Sequence, residues 1–223
     1  MTNVRRQLGD KEQTDSNPGS DTYAIGDLHG EITLLRRLLD RLAPARGDTL
    51  IFLGDYLDRG EDAVQTVETL LALQSSMHCI FLQGNHDAAW LETWDGSAFS
   101  RCPHIAGANR VWEQCQGTIP PRIGQFLTKT RLYHEDGYAW YSHAGATPGV
   151  PFWQSSPESY VWGHAEFLGS TYDWGKPVVF GHYELSDPLV TATKIGLDTG
   201  AWRTGRLTAL QVESRKIIQV VEK

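Results

Sequence analysis

The first half of the chain contains short, continuous apolar runs, each of which ends close to a glycine. The runs are Tyr23–Ile25, Leu50–Leu53 and His78–Leu82, and the glycines that follow them are Gly26, Gly54 and Gly84. A continuous apolar run bounded by glycine is typical of a strand that is buried on both faces of a covered sheet. The pattern therefore predicts three strands, of which Leu50–Leu53 is expected to be buried.

The segments between these runs have apolar residues at helical spacing. One apolar face comprises Ile32, Leu35, Leu39 and Leu42, before Pro44 and Gly47, and a second comprises Val64, Val67, Leu70 and Leu71. Alternating strands and helices predict parallel strands joined by crossovers, so the carboxyl ends of the strands lie side by side. Open α/β sheets bind their ligands beyond that edge.

The second half of the chain is irregular at first and then rich in predicted strands. Residues 88–131 include Trp90, Trp94 and Trp112 and predict short helices and loops over a cleft. A tryptophan there can stack on a substrate base, but we expect these three to pack. Later strands are expected at 138–141, 177–180, 194–197, 206–212 and 216–221.

Composition narrows the class of protein. The chain has 223 residues, of which 40% are hydrophobic and 21% charged, as in ordinary globular domains. The net charge of -7 argues against a nucleic-acid or membrane-surface binder, and no apolar run approaches the ~18 residues of a membrane span. The three cysteines predict no disulfide framework. We expect a disordered polar tail over 1–21, one catalytic domain over 22–223, and a cytoplasmic location.

Polar residues able to bind metal follow five of the predicted strands. They are Asp27 and His29, Asp55, Asn85, His143 and His182, each close to a glycine. A single histidine at a strand end is usually structural, but five such strand ends are hard to explain by packing. A mixture of carboxylate, imidazole and carboxamide suits borderline divalent metals. Two such ions about 3.5–4 Å apart can clamp a phosphoryl group and activate a bridging water, and Asp55 is placed to bridge them.

Five motifs in one order resemble those of a known family. They are GDLHG (26–30), GDYLDRG (54–60), GNHD (84–87), SHAG (142–145) and FGH (180–182). The set is similar to metallophosphoesterases of the phosphoprotein phosphatase type, and most of all to the small bacterial branch with serine/threonine phosphatases and diadenosine tetraphosphatase relatives. The resemblance covers residues from Thr22 to the C-terminus. It implies an αββα sandwich of two mixed β-sheets flanked by helices.

The resemblance also implies roles for individual residues. Asp27, His29 and Asp55 would hold one metal, and Asp55, Asn85, His143 and His182 the other. The expected ions are Mn²⁺, with Fe or Zn as alternatives. His86, oriented by Asp58, would be the general acid. Arg59 would bind the phosphoryl oxygens, with Asn85 also contacting substrate.

Two positions depart from the family pattern. GNHD has Asp87 where glutamate is commoner, and we expect little effect. In the segment 161–167, many relatives have a second phosphate-binding arginine where this chain has His164. A neutral histidine offers one donor and no fixed charge. We therefore place His164 in the substrate site and expect weaker phosphate binding there.

These features predict a metal-dependent phosphoester hydrolase. We expect a protein serine/threonine phosphatase that uses a metal-bridging hydroxide as nucleophile, since no P-loop or GxSxG elbow is present. An alternative is a hydrolase of dinucleoside polyphosphates such as diadenosine tetraphosphate. A third hypothesis is an inactive module that binds phosphorylated partners, which would not need Asp58 and His86. The expected partners are a phosphorylated protein or a small phosphorylated substrate, with no nucleic acid and no membrane.

Overall fold

The computed structural model describes residues 20–222. Most of the predicted tail thus lies outside the described residues. Within 20–222 the strands are β1 (Thr22–Ile25), β2 (Thr49–Phe52), β3 (His78–Phe81), β4 (Tyr133–Glu135), β5 (Trp140–Ser142), β6 (Val178–Phe180), β7 (Leu189–Val190), β8 (Lys194–Gly196), β9 (Arg206–Gln211) and β10 (Lys216–Val221). The helices are α1 (Ile32–Leu42), α2 (Ala63–Gln74), α3 (Asn85–Leu91), α4 (Ala108–Gln114), α5 (Pro121–Leu127), α6 (Pro157–Val161) and α7 (Ala201–Thr204).

The strands form two mixed sheets. The first has the order β10-β9-β1-β2-β3, with β1, β2 and β3 parallel and β9 antiparallel to β1. The second has the order β4-β5-β6-β8-β7, with a parallel centre and antiparallel edge strands. The parallel centres bring the carboxyl ends of β1, β2 and β3 together, and likewise those of β5, β6 and β8.

Side-chain alternation along the strands builds three apolar layers. In β2, Leu50 and Phe52 join the core under the first helices, whereas Ile51 faces the core between the sheets. That middle core also contains Tyr141 and Val179 of the second sheet. A third core covers the outer face of the second sheet. The layers are therefore helix, sheet, sheet and helix, which confirms the predicted αββα sandwich.

The helix predicted from Ile32 ends where a left-handed Ala43 caps it, before Pro44. Strands β4 and β7 and the short helices α6 and α7 were not predicted, because two to five residues carry too little periodic pattern to separate from loop. The tryptophans of residues 88–131 pack: Trp90 is fully buried, and Trp94 and Trp112 lie against the same core. Among residues 20–222, no helix combines the length and apolarity that crossing a membrane requires.

Candidate metal centre and active-site cleft

The six predicted ligands lie together where the two sheets meet. We call Asp27, His29, Asp55, Asn85, His143 and His182 the inner site. Asp27 and His29 follow β1, Asp55 follows β2, Asn85 begins α3 after β3, and His143 and His182 follow β5 and β6. Five of the six are buried, and His182 is partly exposed. The convergence expected from the strand order is therefore present.

Asp55 lies at the centre of the inner site. Its Oδ2 is 3.4 Å from His29 Nε2, and its Oδ1 is 3.6 Å from His143 Nε2. The backbone N–H of His86 donates to Oδ1 at 3.0 Å. Burial would raise the pKa of Asp55, but His143, His29 and His86 outweigh burial and hold that pKa well below its usual range. Asp55 thus presents one carboxylate oxygen to each side of the site.

Asn85, His143 and His182 form the second side. Asn85 Oδ1 lies 3.0 Å from both His143 Nε2 and His182 Nδ1, and these two ring nitrogens are 3.2 Å apart. Three atoms with lone pairs that converge at this distance would repel one another without a shared cation or proton. Their spacing therefore fits ligands around one ion.

Asp27 completes the first side. Its carboxylate accepts the backbone N–H of His182, with distances of 3.2 and 3.1 Å to its two oxygens. Burial, with the charges of Asp198 and Asp55, raises the pKa of Asp27 well above its usual range. A buried group of like-charged carboxylates is stabilised by a cation, so the electrostatics favour a bound divalent metal.

The histidines present the correct nitrogen for binding a metal. Nδ1 of His29 hydrogen bonds to the carbonyl of Leu57 at 2.9 Å, and Nδ1 of His143 to that of Leu53 at 3.0 Å. An Nδ1–H that donates to a backbone carbonyl leaves Nε2 free to ligate. Burial lowers the pKa of each of these two rings to about 4, so both are neutral at pH 7.

Residues with unusual backbone geometry surround the inner site. His29, Asp55, Asp58, Arg59 and His182 all have φ between 43° and 71°. Non-glycine residues rarely adopt this left-handed conformation, which costs of order 1–3 kcal/mol each and clusters at functional sites. Their side chains are therefore directed by sharp turns at the strand ends.

Two glycines leave room for the carboxylates. A Cβ atom at Gly84 would lie 2.1 Å from Asp55 Oδ1, and one at Gly181 would lie 2.0 Å from Asp27 Oδ1. Neither distance is possible for real atoms, so any side chain at these positions would displace a predicted ligand. The glycines in GNHD and FGH are thus required by close packing.

His86 lies beside the inner site and is held by a carboxylate. Its Nδ1 is 2.6 Å from Asp58 Oδ2, and the indole N–H of Trp90 donates to Asp58 Oδ1 at 2.8 Å. Burial would lower the pKa of His86, but its hydrogen bond to Asp58 and nearby negative charge outweigh burial and raise it. The predicted pairing of His86 with Asp58 is present, and Trp90 is an additional partner.

Arg59 connects His86 to a second, more exposed region. Its Nη2 lies 3.1 Å from His86 Nε2, and its Nη1 lies 3.3 Å from Glu184 Oε1. The guanidinium also lies 5.1 Å from the ring centre of Trp202. We call the region lined by Arg59, Ala106, Gly107, Arg110, Glu184 and Trp202 the outer cleft; its volume is ≈ 370 Å³.

His164 lies in a loop beside the inner site. Its Nδ1 accepts the backbone N–H of Glu166 at 3.3 Å. The same loop reaches the site through Trp162, whose backbone hydrogen bonds to His182. The side chain of His164 is half-buried, and its hydrogen bond with Glu166 joins it to a residue of the same loop. The loop is thus near the inner site, whereas the role of His164 stays a prediction.

Several residues of the site were not predicted from the sequence. Asp87 accepts backbone N–H groups from Gly84, Asp55 and Tyr56 at 2.8, 2.8 and 3.1 Å, so it fixes the strand end that carries Asp55. The position of Asp87 inside GNHD was the signal that could have indicated this. Glu184 and Trp202 carry no such signal, because their contacts depend on loops far apart in sequence.

The fold and the inner site together define a two-sheet metal-dependent hydrolase of phosphate compounds. The chain belongs to the calcineurin-like phosphoesterase family, whose profile matches residues 21–187. This membership confirms the resemblance that the five motifs indicated. The protein is thus a metallophosphoesterase, an enzyme class with divalent metal ions, and a binuclear centre is typical of its fold.

Among known proteins, the chain is similar to enzymes named for dinucleoside tetraphosphates. It is 25% identical to bis(5'-nucleosyl)-tetraphosphatase PrpE [asymmetrical] of Anoxybacillus flavithermus, over 88% of this chain and 92% of that protein. It is 40% identical to the symmetrical bis(5'-nucleosyl)-tetraphosphatase of Pseudomonas fluorescens, over 57% of this chain. The match spans only 43% of that longer relative.

The fold is also similar to that of a solved structure. A crystal structure described as that of a candidate diadenosine tetraphosphatase superposes with a TM-score of 0.75, covering 95% of this chain and 96% of that one. Sequence identity is 21%, so this likeness concerns the fold. It supports the two-sheet architecture over the whole described chain.

Proposed function

We propose that this protein hydrolyses dinucleoside polyphosphates, with diadenosine tetraphosphate as the model substrate. The observation that carries the proposal is similarity over nearly the full length to a relative named for that activity. The shorter, more identical match to a second tetraphosphatase supports it. This choice reverses the preference drawn from the sequence, in which a serine/threonine phosphatase ranked first and the polyphosphate hydrolase was the alternative.

We assign the inner site as a binuclear metal centre. Asp27, His29 and Asp55 would hold one ion, and Asp55, Asn85, His143 and His182 the other. The proposed metal is Mn²⁺, which suits this mixture of oxygen and nitrogen donors. When bound, the two ions would polarise the phosphoryl group and activate the attacking water. In the proposal, Asn85 also contacts the substrate.

The residues beside the centre perform the proton transfer and the binding of phosphate. His86 gives a proton to the leaving oxygen, and Asp58 stabilises the charged form of the ring. Arg59 binds the phosphoryl oxygens through its planar fork. Because Arg59 donates to His86 Nε2, a phosphoryl group that draws Arg59 away frees that nitrogen to take a proton from water and pass it to the leaving oxygen. His164 contributes a second, weaker contact to phosphate.

A serine/threonine phosphatase is the second candidate. The His86–Asp58 pair, with 2.6 Å between its nearest atoms, favours it, because a serine alkoxide needs a proton far more than a departing polyphosphate does. An inactive phosphate-binding module is the third, and the same pair argues against it.

A paired assay separates the three candidates. Purified protein with Mn²⁺ is given diadenosine tetraphosphate, a phosphoserine peptide and p-nitrophenyl phosphate in parallel, with and without EDTA. We expect metal-dependent turnover of all three and a kcat/KM at least tenfold higher on the dinucleotide. A higher kcat/KM on the phosphoserine peptide than on the dinucleotide would favour the protein phosphatase. An absence of turnover on p-nitrophenyl phosphate would favour the binding module.

A further inference from the structure

The outer cleft is continuous with the proposed catalytic residues. Arg59 forms part of its wall and also lies 3.1 Å from His86 Nε2, so a ligand in the outer cleft would be one side chain away from the reacting phosphate. The outer cleft has a volume of ≈ 370 Å³, which lies within the range of ~300–1,000 Å³ that is usual for small-molecule sites. The outer cleft is therefore large enough for part of a substrate.

Trp202 is the large flat surface of the outer cleft. Its side chain is 37% exposed, although a tryptophan usually buries its ring. The indole N–H donates to Glu184 Oε1 at 2.9 Å, and the guanidinium of Arg59 lies 5.1 Å from the ring centre. The ring is thus held in one orientation while it faces solvent, as expected of a stacking surface.

The Ala106–Gly107 segment adds no long side chain to the lining of the outer cleft. Gly107 has φ +89, and a Cβ atom there would lie 2.7 Å from both the backbone N and Cγ of Arg59. Ala106 precedes it with a single methyl group. A flat group that stacks on Trp202 therefore meets no long side chain from Ala106 or Gly107.

The charges around the outer cleft suit a polyphosphate. Arg59 and Arg110 line it, and Arg203 lies against it through Glu184, which it contacts at 2.8 Å. Arg59 and Arg203 both pair with the carboxylate of Glu184, and Arg110 is a further cation in the lining, so cations outnumber carboxylates among these four residues. A protein with a net charge of -7 thus concentrates positive charge beside an aromatic surface, at the place where phosphate would enter.

We infer that the outer cleft is a nucleobase subsite, in which Trp202 stacks on the base of the nucleotide whose phosphate Arg59 binds. This inference rests on the proposed function and adds a specificity residue to it. Aromatic rings bind bases by stacking at ~1–3 kcal/mol per base, which corresponds to about a 5- to 150-fold effect on KM. A cleft that instead received the apolar side chain of a phosphopeptide would show no preference for AMP over ribose 5-phosphate, which the second arm of the test measures.

The first arm of the test compares substrates. Trp202→Ala and Trp202→Phe are assayed with Mn²⁺ on diadenosine tetraphosphate and on p-nitrophenyl phosphate, which has no base. We expect Trp202→Ala to raise the KM for the dinucleotide, relative to that for p-nitrophenyl phosphate, about 5- to 150-fold. Trp202→Phe keeps an aromatic ring and should bring this ratio most of the way back to the parent value. Trp153→Ala is the matched control, because Trp153 is also exposed, at 55%, but packs beside Trp140.

The second arm measures recognition of the base without turnover of a dinucleotide. AMP and ribose 5-phosphate, which differ by the base, are compared as competitive inhibitors of p-nitrophenyl phosphate hydrolysis. We expect AMP to inhibit at least fivefold more tightly, and Trp202→Ala to remove that difference. Equal inhibition by the two compounds in the parent protein would overturn the subsite.

The outcomes keep the two proposals apart. Turnover of the dinucleotide with no selective effect of Trp202→Ala would overturn the subsite and leave the proposed function standing. A preference for AMP that depends on Trp202, in a protein that does not cleave the dinucleotide, would support the subsite and contradict the proposed function. Equal KM increases on both substrates would mean that Trp202 acts only by positioning Arg59, which would also overturn the subsite.

Discussion

The inner site and the outer cleft are built in different ways. In the inner site, ligands follow the parallel strands directly, beside glycines whose replacement would cause clashes of about 2 Å, as at Gly84 and Gly181. In the outer cleft, Arg59 and Glu184 lie in loops and Trp202 lies in α7, and the three meet through their side chains. The first region is almost entirely buried, and the second is partly exposed.

This difference suggests separate roles for the two regions, with the chemistry at the inner site and the selection of substrate at the outer cleft. A buried group of carboxylates and neutral histidines can do the same chemistry on any phosphate compound that reaches it. Selection among such compounds must come from parts of the substrate beyond the phosphoryl group, and we propose that the outer cleft contacts these parts. Changes to the inner site should therefore affect all substrates, and changes to the outer cleft should affect them selectively.

The largest effect is expected from Asp55→Asn. The substitution removes the negative charge of the carboxylate that we propose binds both metal ions. Metal content should therefore fall, and kcat should fall with it on every substrate. Metal analysis of the purified variant beside kinetics would measure this. Asp40→Asn, on the exposed face of α1, is the control. Two full equivalents of metal in an active Asp55→Asn protein would show that Asp55 does not bridge.

His86→Asn should have the next largest effect, and one that depends on the leaving group. A general acid contributes ~10²–10⁴-fold. The loss should be near that size on a phosphoserine peptide and much smaller on p-nitrophenyl phosphate, whose leaving group hardly needs a proton. Metal content should not change. Similar losses on both substrates would contradict the role, and the exposed His104→Asn serves as control.

His164→Arg tests whether the loop beside the inner site touches phosphate. If it does, the new charged hydrogen bond is worth ~1.5–3 kcal/mol and should lower KM about tenfold or more, whereas His164→Ala should raise KM slightly. Both variants are measured on p-nitrophenyl phosphate. If neither differs from the parent, the ring only accepts the N–H of Glu166, and Arg59 binds phosphate with other partners.

Glu184→Gln should give the smallest effect. The carboxylate binds Arg59 and Arg203, yet partly exposed ion pairs are worth only ~0–1 kcal/mol. Glutamine can still accept the indole N–H of Trp202, so the main change is a more positive outer cleft. We expect KM for diadenosine tetraphosphate to fall up to about fivefold, and most at low salt. A rise in KM would show that Glu184 positions Arg59, and the exposed Glu158→Gln is the control.

The two regions also differ in how far the sequence predicts them. Asp27, Asp55 and Asn85 could be predicted to lie together because each follows a buried strand, and the order of parallel strands fixes where those ends meet. Arg59 was predicted by its motif, but its partners Glu184 and Trp202 were not. Their meeting depends on the paths of loops, for which neither spacing nor periodicity gives a rule.

The central claim is that the inner site holds two metal ions bridged by Asp55. Anomalous diffraction from crystals grown with Mn²⁺ would test it most directly. We expect two peaks about 3.5–4 Å apart, both in contact with Asp55, one beside Asp27 and His29 and the other beside Asn85, His143 and His182. A single peak, or peaks that Asp55 does not contact, would contradict the account.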